Sequence, residues 1–437
     1  MKNDSFVETQ CTASQKNWSL SFLRRVLSRL RIIHCYTLLP ITFYLILITF
    51  YLFPNTATAQ IFTLDSAYAR LEKHPAVLAA DHQIEASEAM TGTAFQAGQT
   101  QLFVSGEEIR KENGVFTLLG IGQQNLDLLN TGRRRHYLEM QVLSSRAQRE
   151  LIMLEARRAC GIAYVRSIIF QKQDSILQHQ DSLLRDLREK EAIKLQQGAG
   201  SRLSLLALDQ RLSRLAQERM KVEAKVKVEK TELQYWIGNI ENKSLQLQND
   251  VEDKLFVEGL LGGQPGHPAE VNAEANASVA FSNVSQQKIL RTPTFNFQGG
   301  YQQVDRLGGH YAFQVGIQSN LLGKAPSAQK QAAEASFEAA KSQLEQVMSL
   351  LQKEVINAFI SLKQAFSSLE SMEKETLPLA RELASEAAFA YRQGAIDYLS
   401  FFQHLDALRE TEMEWAQRLL ELHEANIEYD YWSYTVK

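Results

Sequence analysis

Apolar positions along this chain follow two periods, and the places where one gives way to the other mark out its elements. Beyond Gly198, residues Leu205, Leu208, Leu212, Leu215, Val222 and Val226 fall at alternating spacings of three and four, with Arg219 the one break. A seam of period 3.5 predicts a helix lying along another helix, and it runs on through Leu233 and Trp236 to Gly238. Upstream, residues 133–195 contain no proline and predict one helix, on the order of 90 Å long at the α-helical rise. A helix of that length does not fit inside a compact globule, so a coiled-coil assembly is implied. Elsewhere the period drops to two. Residues 101–105 and 116–119, on either side of a charged loop at 107–114, predict a β-hairpin within 100–126, closed by Asn130, Thr131 and Gly132. Ahead of it, Leu64, Asp65, Ser66 and Ala67 open a helical run to about Ala97, with Pro75 bending or restarting it.

The second half of the chain repeats this order. His267, Pro268 and Ala269 echo His74, Pro75 and Ala76 at an offset of 193, and Gly316 to Ser319 echo Gly122 to Asn125 at 194. Gln393, Gly394, Ala395, Leu399 and Ser400 echo Gln197, Gly198, Ala199, Leu203 and Ser204 at 196. Between these marks a second hairpin is expected within 293–320, its loop at 305–310. One face of its second strand carries Tyr311, Phe313, Val315 and Ile317, the other Ala312, Gln314, Gly316 and Gln318. A long helix from Ser327 then carries Leu344, Met348, Leu351, Val355, Leu362, Phe366 and Leu369 on one side and is kinked by Pro378. The final helix presents Leu405, Leu408, Trp415, Leu419 and Leu422, with Glu412 the exception. One unit is therefore duplicated, as repeats at 60–240 and 267–437. The irregular 241–266, ending in Gly262, Gly263, Gln264, Pro265 and Gly266, reads as a linker with some local structure.

Four strands cannot close a barrel alone and would leave edges unpaired. Strands apolar on one face and polar on the other suit a lipid-facing exterior around a wet lumen, and three copies would supply twelve of them. The expected class is mostly α with a small β part. A helix–hairpin–long helix–helix repeat would form, as a trimer, a 12-stranded barrel continued by a long helical barrel. Antiparallel helices would place Gly198 and Gly394 together at the tip far from the sheet.

Composition agrees: 8 prolines and 22 glycines in 437 residues are few, favouring long helices. Residues 1–59 read as a signal peptide, with Arg24, Arg25, Arg29 and Arg31, an apolar core at 36–53, and Ala57, Thr58 and Ala59 before a mature start at Gln60. Six basic and two acidic residues leave with it, so 41 basic and 48 acidic remain, a net of about −7 that argues against a nucleic-acid partner. Cys11 and Cys35 leave too. Cys160 stays alone, which excludes a disulfide framework and suggests a buried mid-helix thiol. No second apolar span follows Phe53, so the exported chain is periplasmic, secreted or an outer-membrane barrel.

Enzyme chemistry finds no footing. There is no G-x-S-x-G, Walker loop, H-E-x-x-H or C-x-x-C, and the acid pair Glu107 and Glu108 falls in an expected solvated loop. The histidines at 74, 82, 136, 179, 267, 310, 404 and 423 lack ligand spacing on one helix face, so no metal and no cofactor is expected, and a solvated or interface role is the default. Arg133, Arg134 and Arg135 have two functional readings, contact with lipid phosphates or narrowing of the lumen's charge, beside the default of a solvated helix start just below the membrane.

With the tip pattern Tyr391-x-x-Gly394-x-x-x-x-Leu399, followed by Leu405, Asp406 and Ala407, the chain resembles the TolC family of outer-membrane efflux proteins. Leu64 to Ala67 with His74 and Pro75 resembles that family's amino-terminal pattern, with His where Asn is usual, and the first tip has Leu195 in place of Tyr391. The style is closest to the heavy-metal efflux branch. The resemblance implies a trimeric exit duct in the outer membrane, entered from the periplasm at the helical tips. Its partners would be a periplasmic adaptor and an inner-membrane pump of the RND type.

Adaptor-contact candidates at the tips are then Gly198, Leu203, Ser204, Gly394, Asp397, Leu399 and Ser400. Entrance positions six and nine beyond each tip glycine are Ser204 and Ala207, and Ser400 and Gln403, so the acidic rings some members carry there are missing. Phe295, Phe297, Tyr301, Tyr311 and Phe313, with Phe103 and Phe116, are candidates for an aromatic belt against outer-membrane lipid. The alternative is a periplasmic coiled-coil adaptor or scaffold anchored by an uncleaved 36–53. Two hairpins and a helical carboxyl end favour the duct.

Overall fold

A computed structural model describes residues 61–110, 114–198, 200–238, 244–245, 266–304, 308–319 and 324–434. The signal-peptide reading of 1–59 and most of the linker lie outside the described residues. The first half runs β1 (Ile61–Phe62), α1 (Leu64–Leu71), α2 (Pro75–Thr91), β2 (Gln99–Arg110), β3 (Gly114–Leu126), α3 (Thr131–Gln196) and α4 (Arg202–Ile237). β4 (Ser244–Leu245), inside the stretch read as a linker, pairs in parallel with β1. The second half runs α5 (Pro268–Gln287), β5 (Thr294–Val304), β6 (Gly308–Gln318), α6 (Ala325–Ser371), α7 (Leu377–Arg392) and α8 (Tyr398–Ser433). The described chain is mostly helical, with one antiparallel four-stranded sheet ordered β2-β3-β5-β6.

Two expectations about strand ends need correction. The stretch 107–114 is largely strand, since the ladder continues from Gln99–Gln124 to Arg110–Gly114, with a register shift between Glu107 and Arg110. Glu107 and Glu108 therefore sit on β2 and not in a loop. Residues 308–310, expected in the second loop, open β6. Backbone pairing does not depend on side-chain polarity, so a strand runs on past the point where its apolar alternation stops.

α3 is 66 residues long, about 99 Å at the helical rise. It packs on α2 and α5 near the sheet, on α1 midway, and on α4 and α8 along the rest. Its middle enters the main core, where Ala156, Cys160, Ala163, Tyr164 and Ile169 meet Phe62, Leu71, Leu233 and Leu420. Tyr164 is 1% exposed and its hydroxyl donates to the Phe62 carbonyl at 2.6 Å, tying β1 to the helix. A Cβ at Gly161 would lie 2.7 Å from the Tyr68 hydroxyl, so close approach of α1 requires glycine there. Cys160 is fully buried, and burial pushes its thiol up to about 12.

Nearer the tip, Leu177 and Leu184 of α3 bury against Leu208, Leu215 and Val222 of α4 and Phe402 of α8. Each such leucine contributes about 2 kcal/mol on burial. The α6 seam is only half buried. Leu351, Val355, Leu362 and Leu369 are covered, whereas Met348 is 42% exposed. Phe359 meets Tyr429 near the end of α8, so α6 beyond that level has left its α8 partner behind. Pro378 sits in a backbone already adapted to it. Met372–Thr376 forms a π-turn, with the Leu377 N–H reaching the Met372 carbonyl, which absorbs the lost donor and the ring of a mid-helix proline.

His74 and His267 are not solvated: they are 4% and 3% exposed, buried within the chain itself. Each is the N-cap of a helix opening on proline, with Nδ1 accepting from Ala76 N at 3.2 Å and from Ala269 N at 3.1 Å. His is doing the capping work usually done by Asn or Ser. His423 is buried as well. His74 lies 5.0 and 4.8 Å from the rings of Tyr235 and Trp236, and His267 lies against Tyr431 and Trp432, 196 positions later. Because Nδ1 of His267 is an acceptor, Nε2 carries the proton and donates to the Tyr431 carbonyl at 3.0 Å.

Burial holds the His267 imidazole below its ordinary range, the Tyr431 carbonyl and Glu270 opposing it. The folded state thus favours the neutral ring. The stability it adds is fully present above about pH 6.5 and is lost as pH falls below that toward the depressed folded value. Thermal unfolding of His267→Asn, which keeps a cap but does not titrate, will therefore lose less midpoint between about pH 7.5 and pH 5 than the unsubstituted chain.

Candidate functional site at the helical tips and the sheet

The α3–α4 and α7–α8 connections come together at the end of the helices far from the sheet. Gly198 and Gly394 have φ of +77° and +75°, the left-handed conformation glycine takes without a Cβ penalty. Gly394 N bonds the Tyr391 carbonyl at 3.0 Å and Ala395 N the Ala390 carbonyl at 2.9 Å, closing α7. Ser201 and Asp397, 196 apart, then cap the outgoing helices, accepting from Leu203 N at 3.2 Å and Ser400 N at 2.8 Å. Bonds from the Ser400 hydroxyl and amide hold the Asp397 carboxyl below the usual range.

Outward the two loops present a leucine each, beside the exposed charges of Arg202 and Asp397. Leu203 is 76% and Leu399 56% exposed, each beside a half-buried serine, Ser204 or Ser400. Ala207 is half-buried and Gln403 exposed, one turn further along. Among the described residues no group of three His, Cys, Asp or Glu gathers to hold a metal.

Behind the loops is a network that reading the sequence missed. The Tyr391 hydroxyl donates to Glu191 Oε1 at 2.5 Å, Lys194 Nζ bonds the same oxygen at 2.5 Å, and Lys194 reaches the Tyr391 hydroxyl at 3.0 Å. Glu191 is 6% exposed. Burial acts to raise its carboxyl, but the bonds from Lys194 and Tyr391 outweigh that and hold it low. Burial and the Glu191 bond push the Tyr391 phenol up, so a neutral phenol donates to a carboxylate. Tyr391 stacks on Phe401 at 4.9 Å, and Arg211 of α4 lies 4.1 Å over Phe402 while pairing with Asp406. The first hairpin is thereby fastened to the second. Glu191 and Lys194 sit in the run Arg185–Lys194, whose density of charge reads as a solvated face; only their distance from Gly198 hinted otherwise.

At the other end, the register sorts the sheet into two unlike faces. Leu102 pairs with Ile121, Val104 with Leu119, Leu119 with Tyr301, Tyr301 with Tyr311, Phe297 with Val315 and Phe295 with Ile317. These share one face, and it is open: Leu102 is 78% exposed, Tyr311 and Phe313 each 89%. Gln101, Gln124, Asn296, Gln298, Gln302, Gln314 and Gln318 lie on the opposite face. Phe103 belongs there too, lying over Gly120, where a Cβ would come within 2.4 Å of its ring; its side is opposite the belt. The side chain of Phe116 lies outside the described residues. Phe295, Phe297, Tyr301, Tyr311 and Phe313 all sit on the apolar face but are spread along the strands.

Where the sheet meets the helices, Asp127 is 1% exposed and accepts from Asn130 N, Asn130 Nδ2, Leu129 N and Arg134. Asn130 also bonds Thr292, ahead of β5. Arg134 is therefore the half-buried partner of a buried acid, not part of a solvated helix start. No described helix is long and apolar enough to cross a membrane.

Solved outer-membrane channels share this fold. The outer membrane protein VceC from the bacterial pathogen Vibrio cholerae matches with a TM-score of 0.69 at 14% identity, over 85% of this chain and 95% of that one. The Campylobacter jejuni CmeC outer membrane channel gives 0.72 at 12% identity, over 85% of each chain. CusC, whose crystal structures concern conformational changes accompanying folding and transmembrane channel formation, gives 0.68 at 14%, over 88% and 95%. No protein-family model and no curated protein matches the chain. The fold is that of TolC-like outer-membrane channels, as the tip pattern implied.

Removing the phenol hydroxyl in Tyr391→Phe leaves the buried Glu191 carboxylate on Lys194 alone, a loss of about 1–2 kcal/mol. Hydrogen exchange will rise at both tips, around 191–201 and 391–400, and stay unchanged in the core around Tyr164. Exchange that is unaltered at the first tip would show that the bridge does not hold the hairpins together.

Proposed function

We propose that this chain is the outer-membrane exit duct of a tripartite efflux system, conducting substrate passively from an inner-membrane pump and a periplasmic adaptor. The observation that carries the reading is the sheet. It bears a mainly apolar face in the open, mainly amides on its other face and, among the described strands, two unpaired edges. Such a sheet is stable in hydrocarbon when neighbouring copies pair its edges. Three copies would close a twelve-stranded barrel with the amide face around water. The 66-residue α3 and its partners would continue that lumen into the periplasm.

In this reading the chain is two tandem repeats, 60–240 and 267–437, exported by cleavage after residue 59. The exposed Leu203 and Leu399, with Gly198, Ser204, Gly394, Asp397 and Ser400 around them, meet the adaptor. Ser204, Ala207, Ser400 and Gln403 border the entrance. Docking there would separate the hairpins that Glu191, Lys194 and Tyr391 fasten, widening the entrance. The fold likeness to VceC, CmeC and CusC supports the outer-membrane placement; the cargo follows the pump. A coiled-coil scaffold in the inner membrane would leave the open apolar sheet face without a solvent.

The deciding measurement is membrane fractionation followed by mass determination of the detergent-extracted particle. A trimer from the outer membrane beginning at Gln60 is expected, and an inner-membrane protein retaining residues 1–59 would sink the reading. Single cysteines then separate the faces, since Cys160 is buried and silent. Gln314→Cys will react with a membrane-impermeant thiol reagent and reduce single-channel conductance, and Phe313→Cys will do neither.

A further inference from the structure

The four places where the chain passes between sheet and helices lie at one end of the sheet. β2 begins at Gln99, β3 ends at Leu126, β5 begins at Thr294 and β6 ends at Gln318. The pairs Gln99–Gln124, Leu126–Phe295 and Thr294–Gln318 bring these ends level. The crossings are stitched together by the Asn130–Thr292 bond and by Ser319 Oγ donating to the Arg291 carbonyl at 3.2 Å.

Their charge is one-sided. Residues 92–98, 127–136, 288–293 and 319–327 hold Arg133, Arg134, Arg135, Lys288, Arg291 and Lys324 against a single acid, Asp127. That acid is buried and consumed by Arg134. Arg133, Arg135, Lys288, Arg291 and Lys324 are all exposed, and among the described residues none makes an ion pair with a carboxylate. Elsewhere on the helices arginine after arginine does: Arg146, Arg149, Arg158, Arg166, Arg188 and Arg211 all meet acids. The excess is the more marked because the whole chain is net negative, at −3.

A second, independent feature lies at the same level. Phe95 is 52% exposed, Leu128 53%, Leu129 59% and Leu290 40%, one or more apolar side chains at three of the four crossings. Leu128, Leu129 and Leu290 stand within five residues of Leu126 and Phe295, which pair at the end of the sheet's apolar face. Uncompensated cations beside exposed apolar side chains, at the edge of a lipid-facing surface, are the composition of a membrane interface carrying anionic headgroups. A site for free phosphate would need the cations but not the leucines.

We propose that this collar binds the anionic phospholipid headgroups of the leaflet facing the helices, fixing how deep the sheet sits. The inference rests on the duct reading. Arg133, Arg135, Lys288 and Arg291 meet headgroup phosphates, while Phe95, Leu128, Leu129 and Leu290 enter the acyl boundary. Arg134 stays with Asp127 and holds the crossing rigid.

The test uses the full exported chain, extracted in detergent and reconstituted into vesicles of phosphatidylcholine with and without phosphatidylglycerol, with retained lipids read by native mass spectrometry. The unsubstituted protein is expected to retain phosphatidylglycerol over phosphatidylcholine by about twenty-five-fold, two basic contacts per lipid each giving on the order of five-fold. The variant R133Q/R135Q/K288Q/R291Q, which spares Arg134, will insert equally well, with unchanged helicity, and fall close to parity. Parity in the unsubstituted protein, or an undiminished preference in the variant, would overturn the proposal. So would loss of the preference on adding inorganic phosphate at constant ionic strength, which indicates a phosphate site. A variant that changes the ion selectivity of the conductance but not lipid retention would place the collar in the water path and overturn it as well. Failure to insert into either vesicle would instead remove the duct reading, and this inference with it.

Discussion

One 66-residue helix must be covered along its whole length, and most of the fold answers that requirement. Left alone, α3 would expose Leu177, Leu184, Tyr164, Ile169 and Val142 in turn along about 99 Å. No single partner is long enough. α4, with 36 residues, covers the tip half, and α8 joins it there through Phe402. α1, β1 and the ends of α4 and α8 close over the middle, where the Tyr164 hydroxyl takes the Phe62 carbonyl. α2 and α5 take over toward the sheet. The relay explains why the largest core lies midway along the helices, where successive partners overlap.

The sheet poses the opposite problem, because no described element covers its apolar face. Leu102, Val104, Leu119, Ile121, Phe313, Val315 and Ile317 stand in the open, a patch that water does not tolerate on a free monomer. Its outer strands β2 and β6 also offer unpaired edges. Most helical seams are buried, α6 only in part, whereas the open apolar surface of the sheet is gathered on one face of four strands. The basic collar sits at the border between these two regimes, where Asp127, Asn130 and Arg134 make the joint stiff.

Corresponding parts recur in the two halves of the chain, and the halves differ where they meet. The capping histidines, the aromatic pairs at 235–236 and 431–432, and the tip glycines and N-caps recur in both halves. The tip bridge does not recur. Positions 196 beyond Glu191, Lys194 and Leu195 are Ala387, Ala390 and Tyr391. The first half carries the charges and the second the phenol, so the contact forms only between the two halves. Hairpins fastened that way can part without either of them unfolding.

Much was legible in the residues alone, because local periodicity and turn chemistry are carried by near neighbours. The 3.5-residue seam, the two hairpins, the αL glycines 198 and 394 and the restart at Pro75 each follow from a few adjacent side chains. Strand ends were less legible: charge at 107–110 hid a backbone ladder that pairs regardless of side chain. Tertiary structure alone decided the rest, since burial is set by what arrives from far along the chain. It turned His74 and His267 from solvated residues into buried caps, and drew Arg134 inward to Asp127. It placed Phe103 on the polar face by fixing its partner as Gly120, and it joined Glu191 to Tyr391 across 200 residues. The sequence determines which surfaces each element offers; which of them meet is settled only when α3 has chosen its neighbours.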